Sequence, residues 1–236
     1  MRWLVLVALA ACHDDRAILY PWDERGVVCS QPVDDLTEKV PWHEVEGAMN
    51  LAARDDQVVL LHAHTPGATI SIAGLEHVLE LADQYGLPYL TYRDLAAPDA
   101  TPRAGIALAL DDNGIEEWMG IRQQLAAHGA HVTYFVTRYI SRSDDEHADI
   151  HVLADDGNDI EPHSVNHWNA PDYAAAHGVD GYMLDEMMPS LDELEADGYP
   201  RATAYAYPFG VHTDALDTAI LAQVPRVRVS PGSCPY

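Results

Sequence analysis

The chain has 236 residues, 48% of them hydrophobic, which suits one folded domain with a sizeable core and excludes a disordered polyelectrolyte. Its formal net charge is −25 at pH 7, so phosphate backbones are repelled and a nucleic-acid partner is not expected. The same acidity keeps the protein soluble.

At the N-terminus, Met1-Arg2 precedes an apolar run, Trp3 to Ala11, and then Cys12. That run is too short to span a bilayer. A basic start, an apolar stretch and small residues mark a secretory signal. Leu9-Ala10-Ala11-Cys12 also has the pattern in which a cysteine is lipidated and becomes the mature N-terminus. The alternative is an apolar first strand of a cytosolic protein. On the export reading, residues 1–12 are a signal or lipoprotein segment and 13–236 form one domain. Membrane contact then runs only through lipid on Cys12. Cys29 and Cys234 remain, and an oxidising compartment permits them to pair.

Seven short apolar runs read as strands: 58–61, 89–92, 106–110, 132–136, 159–161, 204–207 and 227–229. Helical spacing lies between most of them. After Ser71, a good N-cap, Leu75, Val78, Leu79 and Ala82 form a stripe that Gly86 and Pro88 end. Ile115, Trp118, Arg122 and Leu125 form a second, ended by Gly129. A third helix spans about 180–196 with Pro189 inside it, and a fourth about 213–222. Alternating strands and helices imply a parallel sheet, closed into a barrel or left open and doubly wound.

Four features can carry chemistry. Asp111-Asp112 follows the strand at 106–110, where alternating barrels place their reactive groups; the bland reading is a solvated helix cap. His163 and His167, four apart after another strand, meet on one face of a helical turn. Two imidazoles and a carboxylate suit zinc and leave a position open for water. Tyr207-Pro208-Phe209-Gly210 makes a tight turn that can aim a backbone N–H into a pocket. His62, with His64 two residues on, ends the strand at 58–61 and suits an acid near neutral pH.

In combination these residues resemble the polysaccharide deacetylases, a carbohydrate esterase family. Ile106-Ala107-Leu108-Ala109-Leu110-Asp111-Asp112 is similar to the family's first motif, an apolar strand ending in an Asp pair. Val132-Thr133-Tyr134-Phe135-Val136 resembles its second strand. Asp159-Ile160-Glu161-Pro162-His163-Ser164-Val165-Asn166-His167 resembles its His-Ser/Thr-x-x-His motif, and Tyr207-Pro208-Phe209-Gly210 its third. The likeness covers about 105–229. It implies an α/β fold, a seven-stranded (β/α) barrel, and removal of acetyl groups from sugars of a polysaccharide. It further implies a divalent metal, zinc by preference, on Asp112, His163 and His167. Asp111 is then the catalytic base, Phe209 supplies a backbone N–H, and His62 is the acid with His64 as its substitute. Trp168 and Trp42 are candidates to stack on sugar rings.

Two departures from the family pattern stand out. The family's late Leu-x-His motif normally follows the third motif, whereas here no histidine follows His212. Val58-Val59-Leu60-Leu61-His62 resembles that late motif instead. The expected order is therefore circularly permuted, with 13–100 supplying the usual last units and 101–236 the motif-bearing ones; permutation is cheap where termini lie close together. The second departure is Ala206, where many members carry an arginine that orients the catalytic aspartate. These departures leave open an inactive carbohydrate-binding or scaffold protein, or an amidohydrolase of small amides.

Overall fold

The structure is a computed structural model that describes residues 17–235. The signal segment and the lipidation expected at Cys12 lie outside the described residues. The strands are β1 (Leu19–Tyr20), β2 (Val27–Cys29), β3 (Gln31–Pro32), β4 (Val58–Ala63), β5 (Gly105–Asp112), β6 (Thr133–Val136), β7 (Asp159–Pro162), β8 (Ala204–Ala206) and β9 (Arg226–Val229). The helices are α1 (Trp42–Asp55), α2 (Ile72–Tyr85), α3 (Tyr92–Ala96), α4 (Ile115–Gly120), α5 (Arg122–Ala127), α6 (Asp144–Asp155), α7 (Ala170–Tyr182), α8 (Met188–Ala196) and α9 (Asp214–Leu221).

One parallel sheet runs β3-β4-β5-β6-β7, with β1 added antiparallel to β4; a second runs β2-β9-β8, also parallel. Residues 27–32 join the two sheets. Their first half pairs with β9 and their second with β4, and Ser30 N donates to the Val229 carbonyl at 3.1 Å. The fold is thus α/β with a parallel sheet, as expected.

Period-2 alternation explains how the sheet is packed on both faces. Val59, Leu61, Ile106, Leu108 and Leu110 pack with the α2 residues Leu75, Val78 and Leu79. Their neighbours Val58, Leu60, Ala107 and Ala109 join Val28, Phe135, Ala204 and Ala206 in a separate interior cluster. Four of those eight are alanines, and the short side chains leave room for larger polar groups at the strand ends. Continuing the alternation, His62 and Asp111 also face inward.

The ring of strands has one seam. No strand pairing links β7 to β8 among the described residues. There the buried Glu161 carboxyl accepts hydrogen bonds from Thr203 N at 3.0 Å and Ala204 N at 3.3 Å, satisfying backbone donors that a ladder would otherwise occupy.

Several expectations need correction. Residues 89–92 form no strand: Tyr89 makes a single bridge to Ile106, and Thr91 caps α3 through a reciprocal box with Asp94. The strand positions that were not anticipated are 19–20 and 27–32, the latter two short halves separated by Ser30. The stripe 115–125 is two helices broken at Ile121. The helix expected at 180–196 starts after a kink at Gly178, φ 81°, that separates it from a preceding helical stretch from Ala170 capped by Asn169, and it passes through a π-type turn, Met183–Met187. Pro189 directly follows this π-type turn, in the first turn of α8. The Ser71 cap is as expected, its hydroxyl accepting Gly74 N at 2.8 Å.

Candidate functional site

Asp111 and Asp112 are the last two residues of β5, not a turn after it. Strand alternation sends Asp111 inward, while Asp112 leaves the strand with a left-handed backbone, φ 80°. Its carbonyl is held by Thr137 N at 2.9 Å. His163 follows β7 and anchors to β6, its N–H donating to the Val136 carbonyl at 3.0 Å.

The stretch from His163 to His167 is not a helical turn. Ser164 and His167 both have positive φ, 67° and 63°, and the Ser164 hydroxyl accepts His167 N at 2.9 Å. This side-chain bond, not a helix, brings the rings together. Such conformations are costly for non-glycine residues and cluster where geometry is demanded.

The result is one convergent set. His167 Nε2 lies 3.2 Å from His163 Nε2 and 3.1 Å from Asp112 Oδ1; His163 Nε2 is 3.5 Å from the same oxygen. Their ligand atoms all lie within 4.8 Å of one another. His163 Nδ1 donates to the Ala206 carbonyl at 2.8 Å, which leaves its Nε2 as the lone-pair atom facing the others. Asp112 Oδ1 is buried and receives no hydrogen bond of regular geometry, despite both imidazoles nearby. Burial works against ionisation of Asp112, but the imidazoles outweigh it and hold the carboxyl well below the usual carboxylate range. Two nitrogens and an orphaned carboxylate oxygen around one point fit a divalent cation, and this donor set suits zinc.

Asp111 is buried, and its Oδ2 pairs with Arg228 Nη2, while its Oδ1 has no hydrogen-bond partner. Arg228 was missed in the sequence. It comes from β9, and its strand partner is Ala206, the position where an arginine was sought. The guanidinium has moved one strand over and still reaches the aspartate. An arginine within the run Arg226-Val227-Arg228-Val229, alternating with apolar residues, was the available signal.

The two histidines of β4 and its exit are held differently. His62 is buried, and its Nδ1 contacts the Ser30 hydroxyl at 2.7 Å. Burial first, then the Arg228 guanidinium, holds its imidazole well below the ordinary value. His64 is one-third exposed; its Nδ1 bonds Asp34 Oδ2 at 2.6 Å and its N–H donates to Asp34 Oδ1 at 3.0 Å. Burial pulls His64 down, yet the Asp34 bond and the charges of Asp111 and Asp112 outweigh it and raise it to about 9. Asp34 was not singled out in the sequence, since it lies in an acidic loop like many others.

His62, His64, Asp111, His163, Phe209 and Arg228 line one cavity. Phe209 has φ 61°, and its exposed ring packs 4.8 Å from the His167 ring. Gly210 next to it has φ 64°, and a Cβ there would lie 2.0 Å from the Ser230 hydroxyl, so only glycine fits this turn. Trp168 is 46% exposed and stacks on Tyr173; Trp42 is half-buried against His77. Cys29 and Cys234 are joined in a disulfide.

Comparison with known proteins bears on the fold and the family. The chain is similar in fold to IcaB from Ammonifex degensii, at TM-score 0.59 and 17% identity over 75% of this chain and 86% of that one. It is similar to the Streptococcus pyogenes deacetylase PplD, solved in complex with acetate, at TM-score 0.54 and 18% identity over 74% and 94%. A de-N-acetylase from Aggregatibacter actinomycetemcomitans matches at TM-score 0.60 and 10% identity over 76% and 96%. No curated protein matches the sequence. The profile of the polysaccharide deacetylase family matches residues 99–224, a span that holds Asp111, Asp112, His163, His167 and Phe209, and the chain belongs to that family.

Proposed function

We propose that the protein is a metal-dependent hydrolase that removes acetyl groups from N-acetylated, or O-acetylated, sugars of a polysaccharide. One observation carries this reading: Asp112, His163 and His167 converge on a point, with the unpartnered Oδ1 of Asp111 buried in the same cavity wall. A divalent cation bound there, zinc on its donor chemistry, supplies Lewis acidity at the acetyl carbonyl and lowers the pKa of water toward about 7. Asp111 accepts the proton of the attacking water on Oδ1, while Arg228 fixes Oδ2. The strained turn at Phe209 offers its backbone N–H to the oxygen where negative charge gathers.

His64, rather than His62, is assigned the proton donated to the leaving amine. Its bond to Asp34 favours the charged ring that an acid needs, whereas His62 is neutral and enclosed. Arg228 weighs against an inactive scaffold, since it gives Asp111 a guanidinium partner that the sequence pattern lacked at Ala206. Phe209, whose exposed ring packs against His167, and Trp168, exposed and next to His167 in sequence, offer faces to a sugar ring.

The same placement supports the permuted order. β4, which carries the late-motif resemblance, lies directly beside β5, and the disulfide ties position 29 to position 234. That disulfide also supports export to an oxidising compartment, the cell envelope, with lipid at Cys12 as the anchor in this scheme. Among the described residues no helix is long and apolar enough to cross a membrane.

The decisive measurement is acetate released from chito-oligosaccharides by the zinc-loaded protein, with and without a chelator. Chelator-sensitive release is expected. No release from any N- or O-acetylated glycan by protein shown to hold zinc would remove the proposal.

A further inference from the structure

We propose that Glu186 is a positioning residue for His167, acting through Asn166, and that it sets the affinity of the site for its cation. This rests on the reading of Asp112, His163 and His167 as a cation site.

Glu186 is completely buried, in the π-type turn between α7 and α8. Such turns are rare and recur at functional sites. Both of its carboxyl oxygens are engaged by one residue: Asn166 N donates to Oε2 at 2.8 Å and Asn166 Nδ2 to Oε1 at 2.6 Å. The Glu186 carbonyl accepts a third bond, from Val165 N at 3.2 Å. Thus 165 and 166, the middle of the turn between the two histidines, are clamped from a segment twenty residues away. Among the described residues no lysine, arginine or histidine pairs with this carboxyl. A buried carboxyl without a counter-ion carries a desolvation cost that its hydrogen bonds must offset, so it is a weak device for net stability.

What the clamp supplies is orientation. His163 has the usual outer partner of a metal-binding imidazole, since its Nδ1 is fixed by the Ala206 carbonyl. His167 has no such hydrogen-bond partner among the described residues: its polar and ring partners are His163, Asp112 and Phe209. Its aim therefore comes from the backbone, which bends through positive φ at Ser164 and at His167 itself. Two constraints hold that bend, the Ser164 hydroxyl on His167 N and the Glu186 grip on Asn166. Releasing the grip lets the turn relax and the second imidazole drift from its productive direction.

The test is zinc affinity of the full chain, read by competition with a chromophoric chelator, alongside the thermal midpoint of the metal-free protein. Glu186→Gln puts an amide NH2 against one of the two Asn166 donors. It is expected to weaken zinc binding 10- to 100-fold, as loss of an outer partner typically does, with the metal-free midpoint unchanged or raised. Asn166 is exposed, so Asn166→Ala leaves the core intact and guards against misfolding of the first variant. It should weaken zinc binding by a similar factor, and the double variant should be no worse than the weaker-binding single one. Zinc affinity within twofold of wild type in both variants overturns the proposal. So does a fall in the metal-free midpoint that accompanies the affinity loss, because that reports a structural role. If the wild-type protein binds no divalent ion at all, the cation-site reading falls and this inference falls with it.

Discussion

Arg228 and Asp111 face one another across the interior of the sheet, the guanidinium on β9 and the carboxylate on β5, both nearly inaccessible to water. A buried pair contributes little net stability, but removing one partner strands the other and costs about 3–5 kcal/mol. Arg228→Met should therefore lower unfolding free energy by roughly that amount in urea titrations. Arg228→Met combined with Asp111→Asn should recover most of it, because no charge is left stranded. Equal losses in the single and the double variant would show that Arg228 acts by packing alone.

Asp111 and the three ligands should separate cleanly by assay. Asp111→Asn removes the acceptor for the water's proton while Asp112, His163 and His167 stay in place. Turnover should fall by about 10²- to 10⁴-fold, the usual contribution of a general base, with stoichiometric zinc retained by metal analysis. His163→Ala and His167→Ala should lose zinc and turnover together. Normal turnover in Asp111→Asn would move the base elsewhere.

The Asp pair at the end of an apolar strand and the two histidines after another stand out as candidates by the rule that reactive groups collect at strand ends, and the resemblance to the polysaccharide deacetylases is what joins them into one set. The histidine turn was misjudged as helical because spacing of four suits a helix, whereas the Ser164 hydroxyl builds a non-helical bend that achieves the same meeting. Residues whose value lies in long-range pairing left no local trace. Arg228 reaches Asp111 over 117 positions of sequence and Asp34 reaches His64 over 30, and neither has a motif of its own. The strand at 27–32 escaped for a related reason: its halves are too short to show a period and gain meaning only between β9 and β4. Conversely 89–92 has strand-like composition, but the Thr91–Asp94 box turns it into a helix start.

The Asp34–His64 pair predicts a pH dependence with a definite sign. An acid must carry its proton, so activity requiring His64 is present below its pKa and lost as pH rises through it. With Asp34 in place that pKa is raised to about 9. The alkaline limb of kcat/KM should fall as pH passes that region. Asp34→Asn removes the bond and the charge, so the limb should move to lower pH, toward the ordinary imidazole value of about 6.5. His62→Gln should leave the position of the limb unchanged. A limb that moves with His62 and ignores Asp34 would reverse the assignment of the acid.

The Cys29–Cys234 disulfide closes a loop between positions 205 residues apart, so its removal acts strongly on the unfolded chain. Chain entropy alone gives a loss of about 5 kcal/mol for a loop of that length, and measured losses commonly run about 2–5 kcal/mol. The effect also has a local route. Cys29 ends β2, and the next residues carry Ser30, which contacts His62, and Asp34, which holds His64. Loosening position 29 should therefore disturb the acid before the cation ligands, which sit on β5 and after β7. Cys29→Ser with Cys234→Ser, or wild type under reductant, should lower the urea midpoint markedly and reduce turnover more than zinc affinity. Unchanged stability after complete reduction, verified by thiol counting, would mean that the strands on either side hold this junction without the covalent link.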